Sequence, residues 1–156
     1  MQEVIISDTS CLITLTRLGD LDLLERLYHH AWVTPEVARE YGTGLPNWIG
    51  IKEVKDKSRQ KQLETTLDLG EASTIALALE LPNSMVIIDE AKGRRVAKEN
   101  NIPMIGVLGI LIQAKKQGWI QAVRPKLELL RKFGFRFSPK LEQTVLIMAE
   151  ESHDLK

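Results

Sequence analysis

The sequence predicts an α/β fold in which a parallel sheet of four to five strands is covered on both faces by helices. Two stretches carry this prediction, residues 4–8 (VIISD) and 85–89 (MVIID). Each is a short, continuous apolar run rich in β-branched residues, which is typical of a strand buried on both faces. Each ends in an aspartate and gives way to a helical pattern, and strands that alternate with helices indicate a parallel sheet.

The remaining elements follow from local patterns. Apolar segments with flanking turn residues predict strands at residues 3–7, 31–33, 85–88 and 103–105, with a short edge strand at 49–54. Apolar residues at helical spacing predict helices at residues 10–18, 57–66, 71–81, 90–100, 107–117, 124–133 and 139–150. A further helix is predicted around Leu21, Leu24 and Leu27, and another starts at Pro35. Pro35 fits the first turn of its helix, and Gly19-Asp20 introduces the second one.

Length and composition indicate one domain over residues 1–156, in which about 121–150 form a C-terminal helical extension. The single cysteine, Cys11, excludes an intrachain disulfide and fits a reducing cytoplasm. No early run resembles a signal peptide, and no run approaches the ~20 residues that cross a bilayer. We therefore expect a cytoplasmic protein with no membrane partner.

The formal net charge is zero, but the charges are unevenly distributed. Residues 1–90 carry 8 Lys/Arg and 15 Asp/Glu, whereas residues 91–140 carry 12 and 2. Such asymmetry suggests a polyanionic partner. The alternative is that solvated helix faces simply differ in sign.

Four acidic residues are expected at one end of the sheet. Asp8 and Asp89 follow the two buried strands, and ligands of open parallel sheets lie beyond the carboxyl ends of the strands. Helical geometry adds Glu40 and Glu71, because each borders the apolar stripe of its helix. Two carboxylates ~4 Å apart repel by about 4 kcal/mol at an effective dielectric of ~20, and a hard divalent cation relieves that repulsion.

Each acid also has a structural interpretation. Asp8 and Asp89 are possible helix N-caps, Glu71 is favoured in a first turn by the helix dipole, and Glu40 is a possible solvated helix residue. The joint placement of all four is what favours a site. Cys11 is interpreted as a small core residue.

Three segments resemble the PIN-domain superfamily: residues 4–13 (VIISDTSCLI), 67–79 (LDLGEASTIALAL) and 87–97 (IIDEAKGRRVA). The likeness also includes Arg124-Pro125 and residues 134–136 (GFR), and it is strongest to a prokaryotic PIN-like subfamily. The superfamily contains VapC-type toxin nucleases. The resemblance implies a three-layer α/β/α sandwich that holds Mg²⁺ or Mn²⁺ and cleaves RNA.

Matching the family pattern residue by residue assigns the metal and catalytic acids to Asp8, Glu40, Glu71 and Asp89, with Glu90 as an extra or alternative ligand. Ser10 falls where the family has a small polar residue that orients a ligand or water. Oxygen ligands without histidine suit Mg²⁺. The resemblance also implies two protein partners, an antitoxin if the chain is a toxin, and a second copy in a homodimer.

A basic run follows Asp89 on the next helix: Lys92, Arg94, Arg95 and Lys98. These side chains suit electrostatic binding of RNA phosphates, and the alternative is an ordinary solvated face.

Two other classes of α/β protein are excluded by residues in the sequence. A receiver domain needs an acid pair after the first strand, but Thr9 follows Asp8; a dehalogenase-type phosphatase needs Asp-x-Asp, but the third position is Ser10. A catalytically weak PIN-fold module that binds RNA or a protein stays open.

Overall fold

The computed structural model describes residues 3–151 and contains a five-stranded, wholly parallel sheet in the order β3-β2-β1-β4-β5. The strands are β1 Val4–Ser7, β2 Ala31–Val33, β3 Ile49–Ile51, β4 Ser84–Ile87 and β5 Met104–Ile105. The predicted α/β class and parallel sheet are therefore confirmed, and so is the short edge strand at β3.

Nine helices within residues 3–151 flank the sheet, which gives the expected three-layer α/β/α arrangement. They are α1 Thr9–Leu18, α2 Leu23–Tyr28, α3 Pro35–Tyr41, α4 Lys57–Leu63, α5 Leu69–Glu80, α6 Ala91–Glu99, α7 Val107–Lys116, α8 Arg124–Lys132 and α9 Pro139–Met148. Most ends lie within two residues of the prediction. None of the described helices is both long enough and apolar enough to span a bilayer.

The central strand β1 pairs with β4 in a register that aligns their carboxyl ends. Ile6 is opposite Val86 and Ser7 is opposite Ile87. The backbone N–H of Asp8 donates to the carbonyl of Ile87 at 3.2 Å, so pairing continues to the last residue before α1. The chain segments that follow β1 and β4 therefore leave the sheet side by side.

The two faces of the sheet bury separate apolar cores. Ile5 on β1 lies in a cluster with residues of α1, α2, α7 and α8, whereas its neighbour Ile6 lies in a cluster with residues of α5 and α6. Successive strand residues point to opposite faces, and each fully buried isoleucine contributes about 1.5–3 kcal/mol. The two-sided burial explains why the strand sequences are continuously apolar rather than alternating.

The C-terminal helices pack on the first of these cores. Leu127 and Leu130 of α8 and Val145 of α9 are buried in it. Two other residues of the predicted apolar pattern, Leu141 and Met148, are 42% and 49% exposed. The helices therefore cover the sheet, as the sequence suggests, and α9 also presents apolar side chains to solvent.

Candidate functional site

Five carboxylates line one pocket at the carboxyl end of the sheet. Its volume is about 260 Å³, and its lining is Asp8, Thr9, Ser10, Ile13, Glu40, Asp68, Gly70, Glu71 and Glu90. Three of the four predicted acids are thus brought together with the proposed extra acid, Glu90. They come from the starts of α1, α5 and α6 and from the last turn of α3.

Asp8 is the most deeply placed of these acids, with 1% of its surface exposed. Its Oδ1 accepts a hydrogen bond from the backbone N–H of Cys11 at 3.0 Å, so it does cap α1. The Ser10 hydroxyl donates to Oδ2 at a long 3.4 Å. Burial, with a smaller contribution from the charge of Asp89, raises the pKa of Asp8 from 3.8 to about 6.

Glu71 lies in the first turn of α5 and is also buried. Its backbone N–H donates to Oδ1 of Asp68, the N-cap of α5, at 2.9 Å. Burial raises the pKa of Glu71 from 4.5 to about 7, and the charges of Asp68, Glu90 and Asp8 add to that rise. The helix dipole at the first turn of α5 favours the ionised form of Glu71. Burial and the neighbouring negative charges oppose ionisation more strongly, so the net effect is a raised pKa.

Glu40 reaches the pocket from the exposed side of α3. Its Oε1 accepts a hydrogen bond from the Thr9 hydroxyl at 2.5 Å. A Cβ atom at Gly70 would lie only 2.5 Å from that oxygen and 3.0 Å from the Thr9 hydroxyl. A side chain at position 70 would therefore displace the end of the Glu40 side chain, so the glycine before Glu71 leaves room for Glu40 in the pocket.

Asp89 lies beside the pocket rather than in its lining. Its Oδ2 accepts hydrogen bonds from the backbone N–H of Val107 at 3.2 Å and from the Cys11 thiol at 3.3 Å. These donors turn the carboxylate toward the start of α7. It does not cap α6, because the N-cap of that helix is Glu90, so the capping interpretation of Asp89 is wrong. Its charge still acts on Asp8.

Sequence reasoning missed one residue of this pocket and underrated another residue beside it. Asp68 lines the pocket, and its signal was available: an N-cap type residue three positions before Glu71, the spacing of a capping motif. Cys11 is buried as predicted, but it also donates two hydrogen bonds at the site. Its backbone N–H donates to Asp8 and its thiol donates to Asp89.

The basic run on α6 divides into two kinds of residue. Lys92, Arg95 and Lys98 are exposed, as RNA contacts would need to be. Arg94 is half-buried, and its Nη1 donates to the carbonyl of Ile88 at 2.7 Å. Arg94 therefore stabilises the segment that carries Asp89, which is a structural role that the sequence pattern does not reveal.

The pocket fits a hard divalent cation by its chemistry. Its charged groups are all carboxylates, its other polar side chains are hydroxyls, and no Lys, Arg or His within residues 3–151 forms an ion pair with Asp8 or Glu71. In the described part of the chain, however, no three His, Cys, Asp or Glu side chains are arranged to hold one ion. Thr9 binds Oε1 of Glu40, and Val107 and Cys11 bind Oδ2 of Asp89, so these hydrogen bonds engage one oxygen of each carboxylate.

A family model described as a PIN domain matches residues 4–151, nearly the whole chain. The chain belongs to the PIN-domain family. No curated protein and no solved structure matches it. PIN domains are generally nucleases and typically use divalent metal ions, so the fold is of the nuclease type and hydrolase chemistry is supported at that coarse level.

Proposed function

We propose that the protein is a Mg²⁺- or Mn²⁺-dependent endoribonuclease that hydrolyses RNA phosphodiester bonds at the acidic pocket. The observation that carries the proposal is the convergence of Asp8 and Glu71, two buried carboxylates from distant segments, without a described cationic partner. Burying a charge without a partner is costly. Membership of a nuclease family makes a metal ion the expected partner.

Asp8 and Glu71 would form the base of the metal site, and Glu40, Asp89 and Glu90 lie around them as further ligands. When bound, the divalent ion supplies an acidified water and neutralises charge on the phosphate. Ser10 lies within reach of Asp8 and would orient a ligand of the site. Lys92, Arg95 and Lys98 would attract the flanking phosphates without regard to sequence.

The test compares Asp8→Asn and Glu71→Gln with the unchanged protein on a labelled single-stranded RNA in Mn²⁺. We expect each variant to lose at least roughly 100-fold in cleavage rate, since groups that hold or stabilise charge at a reacting centre contribute on that order. Asp22→Asn is the matched control, because Asp22 is exposed and pairs with Arg26 on its own helix. Full activity in both pocket variants would refute the assignment.

A second candidate is a PIN-fold module with a weak or unused site that binds RNA or a protein. It is favoured by one observation, the lack of a ready three-residue ligand set within residues 3–151. A Mn²⁺ titration followed by thermal unfolding separates the two functions. A rise in melting temperature together with RNA cutting supports the nuclease, and neither effect supports the module.

The biological setting is a further part of the proposal. If the chain is a VapC-type toxin, a small antitoxin protein should cover the acidic pocket and suppress cleavage. We also propose that the protein forms a homodimer, because Leu141, Ile147 and Met148 of α9 expose apolar side chains. We propose a cytoplasmic location as well, because the free thiol of Cys11 suits a reducing compartment. Light scattering after size-exclusion chromatography measures the oligomeric state directly.

A further inference from the structure

A second, larger cavity adjoins the acidic pocket. Its volume is about 640 Å³. Its lining includes Ser10, Asp89 and Glu90, together with Phe135 and Arg136 from the loop between α8 and α9. Ser10 and Glu90 also line the acidic pocket, so the two spaces adjoin at these residues. A polymer whose reacting bond lies at the acids would therefore have its neighbouring unit in this cavity.

The loop that carries Phe135 and Arg136 is held in place by its backbone. Phe135 N–H donates to the carbonyl of Leu130 at 2.9 Å, and Gly134 N–H donates to the carbonyl of Arg131 at 3.0 Å. Gly134 has a φ of 89°, which other residues rarely adopt. The Phe135 ring is half-buried against the core and lies 6.2 Å from the ring of Phe137. The loop backbone is thus tied to the end of α8, and the ring packs partly on the core.

Arg136 is an exposed guanidinium directed to the same cavity as two acids. Within residues 3–151 it forms no ion pair with Asp89, Glu90 or any other acid. Its charge is therefore available to an anion that enters the cavity. It also lines a further cavity of about 550 Å³ together with Asp89 and Phe135, so it stands where these two spaces meet.

We propose that Phe135 and Arg136 form a subsite for the nucleotide next to the scissile phosphate of a single-stranded RNA. An unpaired base stacks on the exposed part of the Phe135 ring, and the Arg136 guanidinium binds the adjacent phosphate. A paired base is stacked inside its helix and cannot reach the ring, so the subsite selects single strands. The inference rests on the proposed function and adds two substrate-binding residues outside the acidic pocket.

The first experiment measures affinity for a labelled single-stranded RNA in EDTA, where metal-dependent cleavage is suppressed. We expect Arg136→Ala to weaken binding about five- to tenfold and to reduce the slope of log affinity against log salt by about 0.7, the value for one phosphate contact to a single strand. Lys132→Ala is the control, because Lys132 is an exposed cation nearby that lines none of the three cavities. Arg136→Lys should restore most of the salt slope.

The aromatic contact is tested with Phe135→Leu and Phe135→Tyr. Loss of the ring should weaken single-strand binding about tenfold, within the range known for base stacking on aromatic residues, and tyrosine should retain it. Because Phe135 packs on the core, photo-crosslinking of the unchanged chain to RNA containing 4-thiouridine provides a test without a variant. Crosslinked peptides should contain residues 133–140.

The outcomes separate this inference from the proposed function. Unchanged affinity in Arg136→Ala and Phe135→Leu, crosslinks confined to other segments, or equal affinity for a duplex of the same sequence would each overturn the subsite. If one of these results is found and Asp8→Asn still loses cleavage, the subsite is overturned but the proposed nuclease function is supported. Full cleavage in Asp8→Asn and Glu71→Gln overturns the acidic site, whatever the binding result.

Discussion

Cys11 is the one described residue that hydrogen-bonds to both aspartates that follow the paired strands. Its backbone N–H binds Asp8 and its thiol binds Asp89, at 3.0 Å and 3.3 Å. If both acids serve a metal site, the thiol acts as a positioning group for Asp89. The side chain is small and buried, so its replacement by alanine or serine removes or changes one donor with little effect on packing.

We expect Cys11→Ala to lower the cleavage rate about tenfold, a typical loss when a group that orients a metal ligand is removed. Cys11→Ser keeps a donor and should retain most of the rate. Measuring kcat and KM separately checks the role, because a positioning defect should appear in kcat. Equal rates in the alanine and serine variants would show that the thiol only fills space.

The raised pKa values of Asp8 and Glu71 make metal-free stability depend on pH. Each folded-state pKa lies above the unfolded value, so the folded protein retains these protons more strongly and loses stability as pH rises between about 4 and 7. The groups facing them are Asp89 for Asp8, and Asp68, Glu90 and Asp8 for Glu71. For Asp8, a pKa of about 6 instead of 3.8 corresponds to about 3 kcal/mol.

In EDTA, Asp8→Asn should therefore be more stable than the unchanged protein at pH 8, by up to about 3 kcal/mol, and the difference should vanish near pH 4. Asparagine also caps helices, so α1 keeps its N-cap. Denaturant unfolding across this pH range gives the measurement. In saturating Mn²⁺ the order should reverse at pH 8. A pH-independent difference would contradict the assigned cause.

Side-chain direction is what the sequence could not predict at this scale. Asp8 and Glu71 were placed correctly because a strand end and a helix first turn fix where their backbones lie. Asp89 was expected in the same pocket, but its direction depends on the Val107 amide and the Cys11 thiol, which are contacts across 18 and 78 positions of the chain. Asp68 was not predicted as a pocket residue, because its role as the N-cap of α5 already explains an aspartate at that position.

Helix α8 depends on an acid from the far end of the described chain. Glu151 is 6% exposed and accepts hydrogen bonds from Val123 N–H at 2.7 Å, Arg124 N–H at 3.2 Å and the Lys115 ammonium at 3.2 Å. These bonds lower the pKa of Glu151 although its burial alone would raise it. The carboxylate thus satisfies the free amides at the start of α8.

We expect Glu151→Gln to lower the free energy of unfolding by about 2 kcal/mol, since buried charge-assisted hydrogen bonds contribute about 1.5–3 kcal/mol. Glu128→Gln, an exposed residue on α8, should change it little. The lowered pKa means that the contribution of Glu151 is present above pH 4.5 and is lost as pH falls further. Urea unfolding at pH 7 and pH 3.5 tests both statements. An equal loss at the two pH values would contradict the role of the charge.

The predicted start of a helix was wrong where a residue interacts with a distant partner instead of capping the helix. Asp20 was expected to begin the second helix, yet that helix starts at Leu23. The Asp20 carboxylate instead pairs with the Lys126 ammonium of α8 at 2.8 Å, and its carbonyl accepts from Leu23 N–H in a turn. A partner 106 positions away cannot be predicted from local sequence, whereas Pro35 in the first turn of α3 is a local signal and its predicted position is confirmed.

The charge asymmetry of the whole chain predicts salt-sensitive RNA binding. Lys92→Ala combined with Lys98→Ala removes two exposed cations from α6 and should reduce the slope of log affinity against log salt by about 1.4. Lys55→Ala with Lys61→Ala removes two exposed lysines from the acidic half and is the matched control. Fluorescence anisotropy at several salt concentrations gives both slopes. Identical slopes for the two pairs would mean that α6 does not contact the phosphates.

The fold as a whole was the easiest part to predict, because it depends on patterns repeated over many residues. Runs such as residues 4–7 and 84–87 specify buried strands by hydrophobicity alone, and their alternation with helices leaves few topologies. The burial of α8 and α9 against the core follows from their apolar residues in the same way. The arrangement of the acidic pocket depends on individual side-chain contacts, and these repeated patterns carry no information about such contacts.

The pairing of β1 with β4 joins segments about eighty positions apart, and this has a consequence during translation. A ribosome that has made only the first seventy residues has produced Asp8 and Glu40 but neither the strand that fixes the far side of the pocket nor Glu90 and Asp89. If the chain is the proposed nuclease, the emerging polypeptide cannot assemble the acidic pocket, and so cannot cut the message that encodes it or the ribosome's own RNA, until well over half of the domain has left the exit tunnel.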